Sequence, residues 1–162
     1  MAGVPTREKE DGFVAAVERY DGDMVALCFV ITGNRDLARD ATQTTWLKLW
    51  REPPKLRDPG KLRSWLLAVA ANEARQLIRK GRRVVPLERD QASSAPTEPS
   101  TVVALGQALQ GLRPDERSLL GLKYVIGLNS TEIGEQLNIT PGAVRLRLHR
   151  VLGKLREVLR DE

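Results

Sequence analysis

The sequence has one cysteine, one histidine and few aromatic residues. The first two scarcities exclude an internal disulfide and a metal site built from cysteine and histidine. Cys28 has no partner for an internal disulfide, and with only His149 beside it no cluster with metal-ligand spacing exists. Aromatic residues make up 4% of the chain, which indicates lean cores. Because Cys28 lies on an apolar helix face, we expect a buried structural thiol. We expect neither a cofactor nor a metal.

Long apolar segments are also missing. The longest runs, Met24 to Ile31 and Trp65 to Ala71, are far too short to span a bilayer. Residues 1–12 are polar and charged, unlike a secretory signal. We therefore expect a cytoplasmic protein with no membrane contact. The chain stops soon after its last predicted helix, from which we expect no appended C-terminal domain.

Positive charge and helical periodicity are what the sequence has in excess. The 26 Lys and Arg residues outnumber the 21 Asp and Glu residues, and the net charge of +5 favours a polyanionic partner. Strand-like alternation is missing, whereas apolar residues recur at helical spacing. Residues 84–101 are rich in proline and serine and predict a flexible linker. The sequence thus predicts an all-α fold of two small helical domains, residues 10–83 and 102–162, joined by this linker.

Three helical segments are predicted in the first domain. An inner face before a turn at Gly33-Asn34 belongs to one or two helices and contains Phe13, Val17, Tyr20, Val25 and Phe29. A second helix ends at Pro53-Pro54. A third, from about Leu62 to Arg79, has a polar face that becomes basic at Arg75, Arg79, Lys80, Arg82 and Arg83. Cations at a helix C-terminus also complement its dipole, so this basic end has an explanation without a ligand.

The second domain contains a predicted helix-turn-helix. A packing helix starts at Pro114, includes Leu119, Leu122 and Tyr124, and ends near Gly127. Asn129 and Glu132 have the spacing of a capping box, Asn138 is a natural left-handed stop and Ile139 can fill the turn. Thr140-Pro141 then starts a helix that runs to about Leu159.

The last predicted helix is amphipathic. Its inward stripe is Val144, Leu148, Val151, Leu152 and Leu155, and its outward residues are Arg145, Arg147, His149, Arg150 and Lys154. This pattern suits a recognition helix in the major groove, where arginine pairs with guanine or binds phosphate. A helical hairpin with a solvated basic side is the alternative, and His149 could contact phosphate or face solvent.

After about residue 12, nearly the whole chain resembles the extracytoplasmic-function (ECF) sigma factors of the sigma-70 family. Residues 33–50 look like the family's polymerase-binding helix. Arg63-Ser64-Trp65-Leu66, Ala70-Ala71-Asn72 and the basic residues 79–83 are similar to its promoter-melting helix. Residues 112–117, 131–134 and 144–150 resemble its fourth conserved region. The family usually has an acidic residue at Gln76 and a small polar one at Leu146, and these departures affect the expected promoter sequence.

The resemblance implies a sigma factor, not an enzyme, that binds core RNA polymerase and directs it to promoter DNA. The implied polymerase-binding residues are Asp40, Gln43, Trp46, Leu49 and Trp50. The residues implied to read a melted minus-ten element are Arg63, Trp65, Asn72, Gln76, Arg79, Lys80, Arg82 and Arg83. Those implied to read a duplex minus thirty-five element are Thr140, Arg145, Arg147, His149 and Arg150. The family also implies an anti-sigma factor as a partner.

Three other classes of protein fit the sequence less well. A response regulator would need the alternating strands and helices of a receiver domain. An enzyme acting on nucleic acid would need metal-binding carboxylates, a nucleophile with its base or a phosphate loop. An adaptor or anti-sigma protein that binds polymerase without DNA would not need a basic recognition helix.

Overall fold

The computed structural model describes residues 3–4, 6–81 and 100–160, which contain helices and turns but no strand. The seven helices are α1 (Arg7–Thr32), α2 (Arg35–Arg51), α3 (Leu62–Gly81), α4 (Ser100–Gln110), α5 (Pro114–Leu120), α6 (Ser130–Leu137) and α7 (Pro141–Arg160). A 3-10 turn at Pro59–Lys61 precedes α3, and a π-helical turn at Gly121–Ile126 follows α5. The predicted all-α fold is confirmed. Within these ranges no helix is long and apolar enough to cross a membrane.

Most of the predicted linker, residues 84–101, lies outside the described residues, as do Arg82 and Arg83. Its last two residues, Ser100 and Thr101, already belong to α4.

Helices α1 and α2 meet at the turn that Gly33-Asn34 predicts. Gly33 has φ 65°, a left-handed conformation that favours glycine, and its N–H donates to the carbonyl of Phe29. The Asn34 side chain then accepts from the N–H of Leu37 at 3.0 Å and caps α2. The segment before the turn is a single helix of 26 residues.

The buried face of α1 differs in part from the predicted one. Met24, Leu27, Cys28 and Ile31 are fully buried, whereas Phe29 is 44% exposed. The prediction for Phe29 is wrong because residues 24–31 are apolar on every side of the helix, so periodicity alone cannot select the inner side. Other predicted members of this face do pack against the core, namely Phe13, Val17 and Tyr20.

Cys28 is a buried thiol, as predicted. Its Sγ donates to the carbonyl of Ala70 in α3 at 3.4 Å. Burial raises the pKa of the thiol to about 11, against a smaller lowering by its hydrogen bond with Thr42. The thiol is therefore protonated at neutral pH and a poor nucleophile.

The buried residues of α4 to α7 include Leu119, Leu122, Ile133 and Val144, and they form one continuous core with those of α1 to α3. Tyr124 was predicted to pack here, and that prediction is wrong, because its side chain is 60% exposed. The chain winds as a π-helix over Gly121–Ile126, so Tyr124, inside this turn, does not lie on the face that an α-helical period would give it.

The two helical domains pack against each other. Contacts join α1 and α3 to α5, α6 and the π-helical turn. At Gly121 the approach is so close that a Cβ atom would lie 2.7 Å from Cδ1 of Leu27. Across the same interface the Gln136 side chain donates to the carbonyl of Ser64 at 3.2 Å. The two predicted helical domains thus cover apolar surface on each other, an arrangement that the sequence does not predict.

Candidate nucleic-acid interface

The helix-turn-helix has the local structure that the sequence predicts. Asn129 Oδ1 accepts from the N–H of Glu132 at 2.8 Å, and Glu132 Oε1 accepts from the N–H of Asn129 at 3.1 Å. Asn138 ends α6 in the left-handed conformation, with φ 56°. The N–H of Ile139 donates to the carbonyl of Gly134 at 2.9 Å, which closes the turn. The direction of α7 relative to α6 is thus set by backbone hydrogen bonds.

Helix α7 presents a basic surface opposite its buried stripe. Thr140 Oγ1 accepts from the N–H of Ala143 at 3.1 Å and caps the helix, so Pro141 is the first helical residue. Val144, Leu148 and Val151 are buried against α6 and the rest of the second domain. The structure confirms the amphipathic division, and the exposed residues are Arg145, Arg147, His149 and Arg150.

A cavity of about 550 Å³ lies where α3, α5 and α7 meet. Arginines of both domains line it, with Arg75 from α3 and Arg147 and Arg150 from α7. Arg75 Nη1 donates to Ser118 Oγ of α5 at 3.0 Å. Burial lowers the pKa of Arg75, against an opposing effect of the Asp115 carboxylate and with a smaller contribution from the charge of Arg79. Because Arg147 and Arg150 line the same cavity as Arg75, these two arginines of α7 face the other domain in this arrangement.

Glu116 is a buried carboxylate at the edge of this cavity. It accepts from Lys154 Nζ at 2.7 Å and from the backbone N–H of Arg113 at 3.1 Å. Burial alone would raise the pKa of Glu116, but these hydrogen bonds and the two cations outweigh burial and hold the pKa below its usual value. The ionised carboxylate thus links α5 to α7.

The outward face of α3 combines an aromatic ring, amides and cations. Asn72, Arg79 and Lys80 are exposed, and Gln76 is half-buried. Trp65, also half-buried, lies about two turns before Asn72 on the same side of the helix.

Arg63 is on the other side of α3. Its Nη2 lies 3.5 Å from Asp23 Oδ2 and 3.5 Å from the carbonyl of Ile126. The structure therefore brings most of the described minus-ten candidates onto one face and places Arg63 apart from them, beside the second domain.

The candidates on α2 divide into exposed and packed residues. Asp40 and Gln43 are exposed, and Leu49 and Trp50 are half-buried. Trp46 is only 8% exposed, and its Nε1 donates to Asp21 Oδ1 of α1 at 2.8 Å. A direct contact between Trp46 and polymerase is therefore not supported, because its ring and its N–H group are already used inside the domain.

Comparisons with known proteins match both domains. The Sigma-70 region 2 family matches residues 16–84, and the Sigma-70, region 4 family matches residues 103–155. The chain is 36% identical to the RNA polymerase sigma factor CarQ of Myxococcus xanthus, over 93% of this chain and 88% of that protein. It is 29% identical to the ECF RNA polymerase sigma factor SigW of Bacillus subtilis, over 94% and 91% respectively. The chain belongs to the ECF sigma factors.

Two solved structures share the fold of this sigma factor. RpoE, in its complex with the anti-sigma factor NepR from Bartonella quintana, superimposes with a TM-score of 0.71 at 21% identity, over 96% of this chain and 98% of that one. CnrH, in its complex with the cytosolic domain of CnrY, gives 0.72 at 20% identity, over 94% and 90%. The sigma factor is accordingly a transcription initiation factor that directs RNA polymerase to promoters, and it is not an enzyme.

Sequence reasoning missed two residues that shape these surfaces. Leu47 is 51% exposed and lies on the outward side of α2 with Asp40 and Gln43. The sequence feature that could have identified Leu47 is an apolar residue on the side of α2 where the helical period places polar residues. Gly134 is buried in α6, where a Cβ atom would lie 2.6 Å from the carbonyl oxygen of Ile139. Its signal was a glycine inside a helix with good caps.

Proposed function

We propose that this sigma factor reads a promoter with two separate helices, the melted minus-ten strand with α3 and the duplex minus thirty-five element with α7. The observation that carries the proposal is that both helices have an exposed polar and basic face opposite their buried residues. Two members of the face on α7, Arg147 and Arg150, line the cavity between the domains in the packed arrangement. Reading a base after strand separation costs unstacking energy of about a few kcal/mol. The exposed amide of Asn72 can recover part of it by hydrogen bonding to the base edge, and Trp65, on the same face, can stack on a base.

On α7 the proposed readers are the capping residue Thr140 and the exposed arginines Arg145, Arg147 and Arg150, with His149. The N-terminal turns of a recognition helix contact base edges, and arginine is suited to guanine and to phosphate. On α3 the cations Arg79 and Lys80 bind the backbone of the melted strand. Arg82 and Arg83, outside the described residues, continue that basic run in the sequence.

The proposed polymerase-docking surface is the outward side of α2, formed by Asp40, Gln43, Leu47 and the half-buried Trp50. Leu49, also predicted for this surface, packs against the core. Leu47 with Asp40 and Gln43 around it fits the composition of a protein interface, which has an apolar centre and a polar rim. Trp46 supports this surface from inside: its ring centroid lies 5.7 Å from that of Phe13 in α1.

The proposed setting is the cytoplasm, where polymerase and the chromosome are. An anti-sigma factor is a proposed further partner, since RpoE and CnrH occur in complexes with NepR and with the cytosolic domain of CnrY. This part is tested by purifying the chain from its own cells. If nothing but polymerase accompanies it in stoichiometric amount, the anti-sigma proposal is wrong.

In vitro transcription with core polymerase, with and without the chain, tests the main proposal on a library of genomic fragments. We expect new start sites that share two spaced upstream motifs. Arg145→Ala should abolish the preference at the upstream motif, whereas Arg156→Ala, an exposed arginine in the second half of α7, should not. The free chain should bind these promoters weakly, because two tethered weak contacts gain affinity only when polymerase fixes their separation.

The outcomes distinguish the alternatives. Polymerase binding without new transcripts would indicate an adaptor. Tight sequence-specific binding by the isolated chain at physiological salt would indicate a stand-alone regulator.

A further inference from the structure

Leu146 is an exposed apolar residue at the centre of the basic face of α7. Its side chain is 50% exposed. It lies two positions from each of the buried residues Val144 and Leu148, so it projects about half a turn away from the core. Leu146 therefore points outward, away from the buried stripe of the recognition helix.

The residues around Leu146 determine what can cover it. Arg145 and Arg147 are its neighbours in sequence, and His149 and Arg150 follow within about one turn; all four are exposed. Gly142, one turn earlier, has no side chain to hold a partner away from the start of the helix. A surface with this charge fits a polyanion. A basic protein surface would be repelled by these cations, and an apolar one would leave them without a partner.

The groups on the floor of the major groove determine what Leu146 can pack against. Leucine has no donor or acceptor, so a base edge that carries only polar atoms would lose water without receiving a hydrogen bond. The C5-methyl group of thymine is the one apolar group on the groove floor. We propose that Leu146 is a specificity residue that packs on a thymine methyl in the minus thirty-five element. This inference rests on the proposed function of α7.

The test uses holoenzyme and a promoter whose minus thirty-five thymines are replaced one at a time by deoxyuridine, which removes only the methyl group. We expect one position, or two adjacent ones, at which the substitution lowers transcription by the wild-type chain about three- to fivefold, the factor that corresponds to burial of one methyl group. With Leu146→Ala that position should show no difference between thymine and deoxyuridine. Leu146→Met, which keeps an apolar side chain, should restore the preference.

The control is Val158→Ala, which removes an exposed apolar side chain of α7 (45% exposed) beyond the turns that would reach base edges. It should leave the deoxyuridine profile unchanged. A wild-type profile in which no position responds, or one that Leu146→Ala leaves intact, overturns the inference. If Arg145→Ala still abolishes the minus thirty-five preference in that case, the proposed function stands and only the role of Leu146 fails. If the chain supports no promoter-specific transcription, both fail.

Discussion

At the residue scale, Asn72 gives the most direct test of how the melted strand is read. Its side chain is exposed on α3, so Asn72→Ala should leave the thermal unfolding of the chain unchanged. Loss of an amide that hydrogen-bonds a base edge costs about 1–3 kcal/mol, which is about five- to 150-fold in transcription from a matched promoter. The measurement is transcription from promoters with each minus-ten base substituted in turn. With the variant, one position should no longer affect the yield.

The matched control is Gln107→Ala, which removes an exposed amide of α4, a helix of the other domain. It should retain the wild-type dependence on every minus-ten base. If transcription by Asn72→Ala still depends on every minus-ten base, Asn72 does not read a base and that role belongs to other residues of α3.

Glu116 makes stability depend on pH in a specific direction. Its pKa in the folded chain lies below the ordinary carboxyl value of 4.5. A carboxyl group with a depressed folded pKa stabilises the protein above its unfolded pKa, and that contribution is lost as the pH falls through the folded value. We therefore expect the free energy of unfolding of the wild-type chain to fall as the pH is lowered below about 4.5.

Glu116→Gln should remove this part of the pH dependence and lower the free energy of unfolding at pH 7 by about 1.5–3 kcal/mol, the usual range for a charged hydrogen bond. Urea unfolding between pH 3 and pH 7 measures both effects. Glu157→Gln is the control, since Glu157 is exposed on α7 and forms no ion pair with the described residues. Equal pH profiles for the two variants would contradict the role of Glu116.

At the element scale, the caps and turns of this fold could be predicted from sequence, whereas the packing of faces could not. The capping box at Asn129, the left-handed Asn138 and the Thr140 cap depend on a few consecutive residues, so local rules suffice. Phe29 and Tyr124 were assigned to buried faces, and both are exposed. The exposure of Phe29 depends on which neighbouring helix covers the apolar run of α1, and that of Tyr124 depends on a π-helical turn. The spacing of apolar residues along the chain predicts neither feature.

In the candidate site, too, local features could be predicted from sequence, whereas contacts between helices could not. The amphipathic period of α7 was enough to separate its exposed cations from its buried stripe, because one face of the helix is strongly apolar. The burial of Trp46 could not be predicted in this way, since it depends on Asp21 and Phe13 in another helix.

The turn between α6 and α7 depends on Gly134. Gly134→Ala would place a Cβ atom 2.6 Å from the backbone oxygen of Ile139, a group that cannot move without shifting the turn. We expect a loss of about 1–3 kcal/mol in the free energy of unfolding, as in overpacked cores, and weaker dependence of transcription on the minus thirty-five element. Urea unfolding and promoter transcription measure the two effects.

Gly153→Ala is the matched control, because its Cβ atom would meet nothing within 4 Å on α7. Alanine is the better helix former by about 0.8–1.0 kcal/mol, so this variant should be neutral or more stable. If both glycine variants behave alike, the close approach at Gly134 does not set the turn.

At the scale of the whole molecule, the packed arrangement affects access to DNA. Arg147 and Arg150 of α7 line the cavity with Arg75 of α3, so part of the recognition helix faces the other domain. A recognition helix must enter the major groove along its outward face. We therefore expect the domains to separate when the sigma factor acts with polymerase.

A crosslink across the interface tests this separation. Gln136 Nε2 lies 3.4 Å from Ser64 Oγ, so cysteines at these two positions lie within reach of a short bismaleimide. Cys28 is fully buried and its thiol is protonated, so it should not react. The crosslinked double variant should lose transcription at least tenfold, whereas each single-cysteine variant treated with the same reagent should retain it.

The position of the crosslink decides what the loss would mean. Ser64 and Gln136 are the residues joined in the packed state, so linking them adds no new contact and only prevents opening. If the loss reflected damage to α3 or α6, the double variant would be impaired before the reagent is added, and untreated protein provides that comparison. Full activity after crosslinking would show instead that α7 reaches the minus thirty-five element from the packed arrangement, with Arg145 and Leu146 on its free side and Arg147 and Arg150 directed towards α3.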